Sequence, residues 1–170
     1  KIQIRKNIPQ QSGLGGGSMN AAFLLSYFFK KKMIRASKKD IFNICHQIGS
    51  DVFLGLDRKN SILLNKKIIK KFNTKTRLFA ILIKPNIGCS TSEIYRKVKC
   101  FSNTRIKISK KVLKIESLKN AKNDLEIPAF KLYPVLRKLK IFLSNIDKVR
   151  FVRMTGSGST IVAYFSNKKS

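Results

Sequence analysis

The hydrophobic pattern at the start of the chain changes from a strand period to a helix period. Residues 1–6 (KIQIRK) alternate polar and apolar side chains, which predicts a strand already under way at the first residue. We therefore expect this strand to continue from sequence upstream of residue 1. Residues 21–32 (AAFLLSYFFKKK) are apolar around most of a helical circumference and end in lysines, which suit the negative pole of a helix. They predict a mostly buried helix.

A second helix is predicted by its start signal and its spacing. Ser37 followed by Asp40 forms a candidate capping box, and apolar residues then recur at helical intervals up to Gly49, a typical helix stop. The next segment, DVFLGLDRKNSILL, has two short apolar runs around the turn-prone residues 57–60. We predict a hairpin or a pair of strands there.

The pattern changes character near the middle of the chain. Residues 77–85 (RLFAILIKP) predict a buried strand that is ended by Pro85, and a helix is predicted over residues 91–98. This change indicates two domains, one over residues 1–76 and one over residues 77–170.

The last third of the chain predicts a helix followed by a hairpin. Residues 124–143 have helical spacing, and Pro128 and Pro134 must delimit or kink that helix. The sequence VRFVRMTGSGSTIVAYF then gives strand, Gly/Ser turn and strand, which predicts a hairpin with residues 155–159 at its tip. The polar segment between residues 100 and 120 gives no assignment.

The composition indicates a folded protein with a strong positive charge. Apolar residues make up 43% of the 170 residues, and the apolar runs are too short for a membrane span, so we expect a soluble, cytoplasmic protein. Lysine and arginine number 37 against 8 acidic residues, which gives a net charge of +29. Because the lysines are spread along the whole chain, a coding bias toward A and T explains this charge as well as a nucleic-acid partner does. The positive field would still attract an anionic substrate.

The most informative segment is PQQSGLGGGSMNAA, which places four glycines directly ahead of the first helix. A glycine-rich loop between a strand and a helix binds phosphate, because the first-turn amides lack intrahelical partners and the helix dipole is positive there. A flexible linker is the alternative, but a linker would not lead at once into a helix that must pack. A Walker A loop needs a lysine after Gly17, and a GxGxxG loop counted from Gly13 needs glycine where Ser18 stands. The loop therefore belongs to another phosphate-binding class.

Four segments, in order along the chain, resemble the GHMP small-molecule kinases. They are KNIPQQSGLGGGSMNAA, similar to the second signature of that family; IGSDV; KPNIGCSTSEIY together with NDLE; and RMTGSGSTIVAYF. The resemblance covers essentially the whole chain but only the central and C-terminal part of such an enzyme. It implies an α+β, two-domain fold: a truncated N-terminal domain like domain 2 of ribosomal protein S5, and a ferredoxin-like C-terminal domain.

The resemblance also implies roles for particular residues. Asp51 would be the catalytic base that accepts the proton of the acceptor hydroxyl. The loop around the ATP phosphates would consist of Pro9, Gln10, Gln11, Ser12, Gly13, Leu14, Gly15, Gly16, Gly17, Ser18 and Met19. The substrate pocket would be formed by Thr91, by Tyr95 stacked on a cytosine ring, and by Thr155, Gly156, Ser157 and Gly158 of the third signature.

Each of these roles has a structural alternative. An aspartate at position 51 is also typical of a turn or an N-cap, and Thr91 is typical of a helix N-cap. Tyr95 fits a core aromatic, and residues 155–159 fit an ordinary hairpin turn.

The implied reaction uses ATP with Mg²⁺. The GLGGGS form is most similar to the branch of the family that phosphorylates the 2-hydroxyl of a cytidine diphosphate-linked methylerythritol in non-mevalonate isoprenoid biosynthesis. The alternatives are a homoserine or mevalonate kinase and, from the charge, a basic nucleic-acid-binding module. The resemblance implies no nucleic-acid or membrane partner and leaves monomer and homodimer open.

The chain departs from the family pattern at two positions. Met19 stands where a second serine is usual, so a hydroxyl that would help to order Mg²⁺ is missing, and Phe53 replaces a usual proline. Three widely spaced cysteines without a CxxC pair predict no protein-built metal site. The lysine that works beside the family's aspartate would lie upstream of residue 1, so we expect this chain to be inactive alone.

Overall fold

The computed structural model describes residues 2–57, 59–65, 68–72, 77–102 and 115–167. They combine helices with antiparallel sheets, which confirms the α+β prediction. The chain divides into two compact units: unit A spans Gly15–Thr74, and unit B combines Lys1–Leu14 with Lys75–Ser170. The predicted domains differ from these units in the place of the first 14 residues, and the domain assignment stays a prediction.

In the residues of unit A that the structure describes, there are two α-helices, a 3₁₀-helix and a hairpin. In chain order they are α1 (Gly16–Lys30), α2 (Lys38–Ile48), the 3₁₀-helix (Val52–Leu56), β1 (Asn60–Asn65) and β2 (Ile68–Phe72). The apolar faces of the three helical elements meet in a small core, whose buried side chains are Ala22, Leu25, Cys45 and Val52. The strands β1 and β2 pair antiparallel with each other.

Local sequence explains where the two helices of unit A begin. The Ser37 hydroxyl accepts the Asp40 N–H at 3.2 Å and the Asp40 carboxylate accepts the Ser37 N–H at 3.0 Å, which confirms the predicted capping box. Hydrogen bonds from the side chain and backbone of Ser37 hold the pKa of Asp40 below its usual value. The helix α1 begins at Gly16 rather than at residue 21, because Gly15 takes a left-handed conformation (φ 67°) and turns the chain into the helix early.

The predicted hairpin around residues 57–60 is wrong in its first half. The first apolar run forms the 3₁₀-helix, and the hairpin lies later, between β1 and β2. Phe53 and Leu56 of this run pack against the core of unit A. Such a short apolar run fits either a strand or a helical period, and packing against α1 and α2 decides between them.

The described part of unit B contains a three-stranded antiparallel sheet and four helices. The strands are β3 (Phe79–Ile83), β4 (Phe151–Met154) and β5 (Ile161–Phe165), in the order β3-β5-β4. The helices are α3 (Thr91–Arg96), α4 (Ile115–Asn120), α5 (Glu126–Leu132) and α6 (Pro134–Ser144). Helices and strands share one core that includes Ile94, Leu136, Leu143, Met154 and Ile161. Of the helices described, none has the length and apolar character needed to cross a membrane.

The terminal hairpin, β3 and the helix at residue 91 are confirmed, but two details of unit B differ from prediction. The side chains of Ile81 and Leu82 are 51% and 53% exposed, because β3 is an edge strand of the described sheet rather than a buried one. The predicted long helix is divided into two at Pro134, which delimits rather than kinks it, because Tyr133 is not helical and Pro134 begins α6 at a position that suits proline.

The strand predicted over residues 1–6 is wrong for the described residues, 2–6. Residues 2–6 carry no regular secondary structure, and Ile2 and Ile4 are both exposed. Alternation produces a strand only where a neighbouring strand accepts its backbone hydrogen bonds, and no described residue pairs with this segment.

The core of unit B gives the first test of the fold. Leu136 of α6 is 0% exposed, whereas its neighbour Val135 is 46% exposed. We expect Leu136→Ala to lower the free energy of unfolding by about 2–5 kcal/mol through lost burial and a residual cavity. Val135→Ala should change it by less than about 1 kcal/mol. Urea denaturation of the two variants measures both values, and equal losses would contradict this packing.

Candidate active site

The start of α1 in unit A presents unpaired backbone amides. The N-cap residue Gly15 makes no side-chain cap, and the first intrahelical hydrogen bond runs from the Met19 N–H to the Gly15 carbonyl at 2.9 Å. The amides of Gly16, Gly17 and Ser18 therefore precede the helical bonding pattern. Together with the positive end of the helix dipole, they form a local environment that favours an anion.

The start of α1 packs against the segment that carries Asp51. A Cβ atom added to Gly49 would lie 4.0 Å from the Ser18 Oγ, so this hydroxyl is close to the end of α2. A Cβ atom added to Gly55 would lie 2.8 Å from the Met19 sulfur. Met19, at the position where a hydroxyl was expected, therefore lies against the 3₁₀-helix, and Gly55 leaves the space for it.

Asp51 is the residue immediately before the 3₁₀-helix, and its carboxylate does not cap that helix. Its backbone carbonyl accepts the Leu54 N–H at 3.1 Å, and the Ser50 hydroxyl lies 3.4 Å from its Oδ1. The residue is exposed. Asp51 thus occupies the N-cap position of the 3₁₀-helix without a side-chain cap, and its catalytic role stays a prediction.

In unit B, residues 11–13 accept hydrogen bonds from residue 89 and from the turn between β4 and β5. The Cys89 N–H donates to the Gln11 carbonyl at 3.2 Å, and the Thr160 N–H donates to the Ser12 carbonyl at 3.1 Å. The Thr155 hydroxyl donates to the Gly13 carbonyl at 3.0 Å. Three consecutive carbonyls of the predicted ATP loop are therefore fixed by hydrogen bonds within unit B.

The contact at Gly13 leaves no space for a side chain. Gly13 has φ +70°, and a Cβ atom there would lie 2.1 Å from the Thr155 carbonyl oxygen. Gly156 has φ +53°, and a Cβ atom on it would lie 3.2 Å from the Gly13 carbonyl oxygen. Conformation and the close approach of two backbones require glycine at position 13, and the left-handed φ with a tight contact favours it at position 156.

The structure brings Thr91 and Ser157 together. Their hydroxyl oxygens lie 2.8 Å apart, and Ser157 is buried. The helix α3 begins at Thr91, but the cap is Ser90, whose hydroxyl accepts the Glu93 N–H at 3.4 Å. Gly158 is also buried, close to the sulfur atoms of Met154 and Cys89. Ser157 and Gly158 shape the turn from inside, and their substrate-binding role stays a prediction.

An open cleft of about 430 Å³ lies within unit B. Three predicted substrate residues line it: Tyr95, Thr155 and Gly156. Tyr95 is 51% exposed, which contradicts the core-aromatic alternative, and its ring centroid lies 6.5 Å from that of Phe101. The other lining residues are Phe101, Lys122, Asn123, Asp124, Leu125, Arg153, Met154 and Tyr164.

The cleft contains polar residues to which the sequence analysis gave no role. Asp124 accepts hydrogen bonds from the hydroxyl and the amide of Ser102 at 2.5 and 2.8 Å, and these bonds lower the pKa of its carboxyl. Asn123 uses its side chain to bind the backbone of the β4–β5 turn. The sequence motif NDLE contains both residues and could have pointed to them. An Asn-Asp pair ahead of an apolar run is, however, also the ordinary start of a helix.

Comparison with known proteins identifies relatives over the whole chain. Residues 1–57 match the GHMP kinases N terminal domain, and residues 110–170 match the GHMP kinases C terminal domain. The chain is 47% identical over its full length to the 4-diphosphocytidyl-2-C-methyl-D-erythritol kinase of Pelagibacter ubique (strain HTCC1062) and covers 61% of that protein. It is 33% identical over 98% of its length to the enzyme of that name from Clostridium kluyveri and covers 62% of that one.

A solved structure shows the same fold. The crystal structure of a 4-(cytidine 5'-diphospho)-2C-methyl-D-erythritol kinase superposes with a TM-score of 0.75 at 25% identity, covering 94% of this chain and 59% of that one. The chain thus spans about three-fifths of the length of the relatives it matches.

The glycines of the loop give a graded test of this geometry. We expect Gly13→Ala to cost about 3 kcal/mol of folding free energy, since it combines a left-handed φ with a backbone collision. Gly15→Ala has the same conformational strain but open space, so about 1 kcal/mol is expected. Gly17→Ala, inside α1 with open space, should stabilise by about 0.5–1 kcal/mol. Chemical denaturation ranks the three variants, and a Gly13→Ala loss no larger than that of Gly15→Ala would refute the contact.

Proposed function

The chain belongs to the GHMP kinase family, and from this premise we propose that the full-length protein transfers the γ-phosphate of ATP to the 2-hydroxyl of 4-diphosphocytidyl-2-C-methyl-D-erythritol. The observation that carries the reaction class is the packing in unit A, where the uncapped start of α1 lies against the segment of Asp51. The choice of acceptor is supported by the relatives that carry this activity in their names.

The phosphates of ATP would bind at the predicted loop. The amides of Gly16, Gly17 and Ser18 would donate hydrogen bonds to phosphate oxygens, as helix N-termini do for anions. Left-handed Gly15 opens the approach, because no side chain stands between the backbone and the ligand. The high positive charge of the chain would also raise the encounter rate with a nucleotide.

Asp51 would act as the general base. As the acceptor oxygen forms its bond to the γ-phosphorus, its proton passes to the Asp51 carboxylate, and the bond from phosphorus to the ADP oxygen breaks. The exposed, uncapped carboxylate suits this role, since its oxygens are not consumed by the helix that follows. A carboxylate that capped the 3₁₀-helix would have to break that cap first.

The residues of unit A fit Mg²⁺ that arrives on ATP rather than in a protein cage. Among the described residues, no group of three or more histidine, cysteine, aspartate or glutamate side chains is placed so that it could hold a metal ion. The Ser18 hydroxyl and the Asp51 carboxylate are oxygen donors of the kind that Mg²⁺ prefers, and they would help to hold the ion as its ATP complex. The ion would neutralise charge on the phosphates. Met19 offers no oxygen, and its contact with Gly55 gives it a packing role instead.

The cleft of unit B would receive the cytidine end of the acceptor. Exposed Tyr95 provides a face on which a base can stack, and Phe101 stands beside it. Thr155 and Gly156 belong to the same cleft. Thr91 would act through Ser157, to which its hydroxyl is hydrogen-bonded, and would therefore shape the turn.

Removal of the Asp51 carboxylate should abolish turnover without removing ATP binding. We expect Asp51→Asn to lower kcat by about 10²- to 10⁴-fold, the usual contribution of a general base. Exposed Asp147, in unit B, supplies the control, and Asp147→Asn should leave kcat within twofold. The measurement is steady-state phosphorylation with the full-length protein, beside an ATP titration. Unchanged turnover in Asp51→Asn would remove the residue from the mechanism.

The acceptor is tested by a panel of alcohols. We expect the full-length protein to consume ATP with 4-diphosphocytidyl-2-C-methyl-D-erythritol at least 100-fold faster than with homoserine or mevalonate, because only the first carries a base for the cleft. ADP release, with the phosphorylated product identified by mass, measures each rate. Turnover with homoserine or mevalonate alone would assign the chain to a different branch of the family.

A further inference from the structure

The side chain of Asn123, just before α5, connects two segments of unit B. Its Nδ2 donates to the Met154 carbonyl at 2.9 Å and to the Gly156 carbonyl at 2.8 Å. Its Oδ1 accepts the Leu125 N–H at 3.0 Å. Both amide hydrogens and the amide oxygen are used, so the side chain is held in one orientation.

Glu126 of α5 adds a fourth hydrogen bond at the same place. Its Oε1 accepts the Met154 N–H at 2.8 Å, and its Oε2 pairs with the Lys140 ammonium at 2.5 Å. The N–H and the carbonyl of Met154 are thus both bound to side chains. In the described sheet β4 lies at an edge, and Asn123 with Glu126 takes the place that a neighbouring strand would have there.

These bonds direct the turn rather than close it. The turn is already closed by its own backbone, through the Thr155 N–H to the Thr160 carbonyl and the Gly158 N–H to the Thr155 carbonyl, both at 3.0 Å. Asn123 instead fixes the carbonyls on either side of Thr155. Thr155 in turn donates its hydroxyl to the Gly13 carbonyl.

We propose that Asn123 is a positioning residue for nucleotide binding: through Met154 and Gly156 it sets Thr155 on Gly13 and so fixes residues 9–14, the part of the predicted ATP loop that belongs to unit B. The proposal rests on the proposed function of that loop. It assigns Asn123 an effect on ATP, although its side chain lies in the cleft beside Tyr95 and Phe101. Glu126 and Lys140 support the same turn from α5 and α6.

The variant Asn123→Asp in the full-length protein distinguishes a role in positioning the loop for ATP from a role in folding alone. The aspartate keeps the size and the acceptor for Leu125, but it loses both donors and sets a negative charge against two carbonyl oxygens. We expect the Kd and the KM for ATP to rise about tenfold, while kcat at saturating ATP changes less than threefold. A merely structural residue would lower the folded fraction and leave the KM of the folded enzyme unchanged.

Two further variants act as controls. Asn43→Asp makes the same change at an exposed position of α2 and should leave the Kd for ATP within twofold. Glu126→Gln keeps an oxygen acceptor for the Met154 N–H while removing the charge that pairs with Lys140. Its Kd for ATP should rise less than that of Asn123→Asp. An Asn123→Asp variant that folds and binds ATP as tightly as the wild type overturns the proposal.

Thr155→Val covers the case in which Asn123→Asp fails to fold. Valine keeps the shape of threonine but removes the hydroxyl bond to the Gly13 carbonyl. It must then weaken ATP binding at least threefold, and unchanged binding overturns the proposal. If both variants fold, the double variant should lose less ATP-binding free energy than the sum of the two single losses, because both act through one contact. A wild type that binds ATP but phosphorylates no acceptor contradicts the proposed function alone, and a wild type that binds no ATP contradicts both.

Discussion

The backbone contact between Gly13 and the turn after β4 is the constraint on which the rest of unit B depends. It joins positions 142 residues apart in the sequence through the Thr155 hydroxyl and the Gly13 carbonyl. The two backbones come so close that Gly13 cannot carry a side chain, and a side chain on Gly156 would be tightly placed. Because of this contact and the bonds of Gln11 and Ser12, the first 14 residues belong to the same compact unit as the end of the chain.

The candidate machinery is distributed between the two units. Unit A contains the amides at the start of α1 and the exposed Asp51 carboxylate. Unit B contains the hydrogen bond from the Thr155 hydroxyl to the Gly13 carbonyl and the cleft lined by Tyr95. The predicted ATP loop runs through the division between Leu14 and Gly15. In one half of that loop the carbonyls are therefore fixed by hydrogen bonds, and in the other half the amides of residues 16–18 precede the helical bonding pattern.

The sequence predicted features that depend on neighbouring residues. The capping box of α2, the β4–β5 hairpin and the helix at Thr91 follow from short-range chemistry and are confirmed. The strand over residues 1–6 and the first half of the hairpin in unit A were wrong, because alternation and short apolar runs need a partner to decide their structure. The hydrogen bonds of Asn123 could not be predicted, since its partners lie about 30 residues away.

The Met19 side chain occupies the space that a side chain on Gly55 would need, so the residues at these two positions constrain each other. The thioether occupies the space directly over Gly55, and a methyl group there would also collide with Ala22, at 2.7 Å from its Cβ. A serine at position 19 would leave empty part of the space that the Met19 side chain fills. A side chain at position 55 could then enter that space, but it would still collide with Ala22. Homologous chains should therefore vary more freely at position 19 than at position 55, and any side chain at position 55 should come with a shift or a smaller residue at position 22.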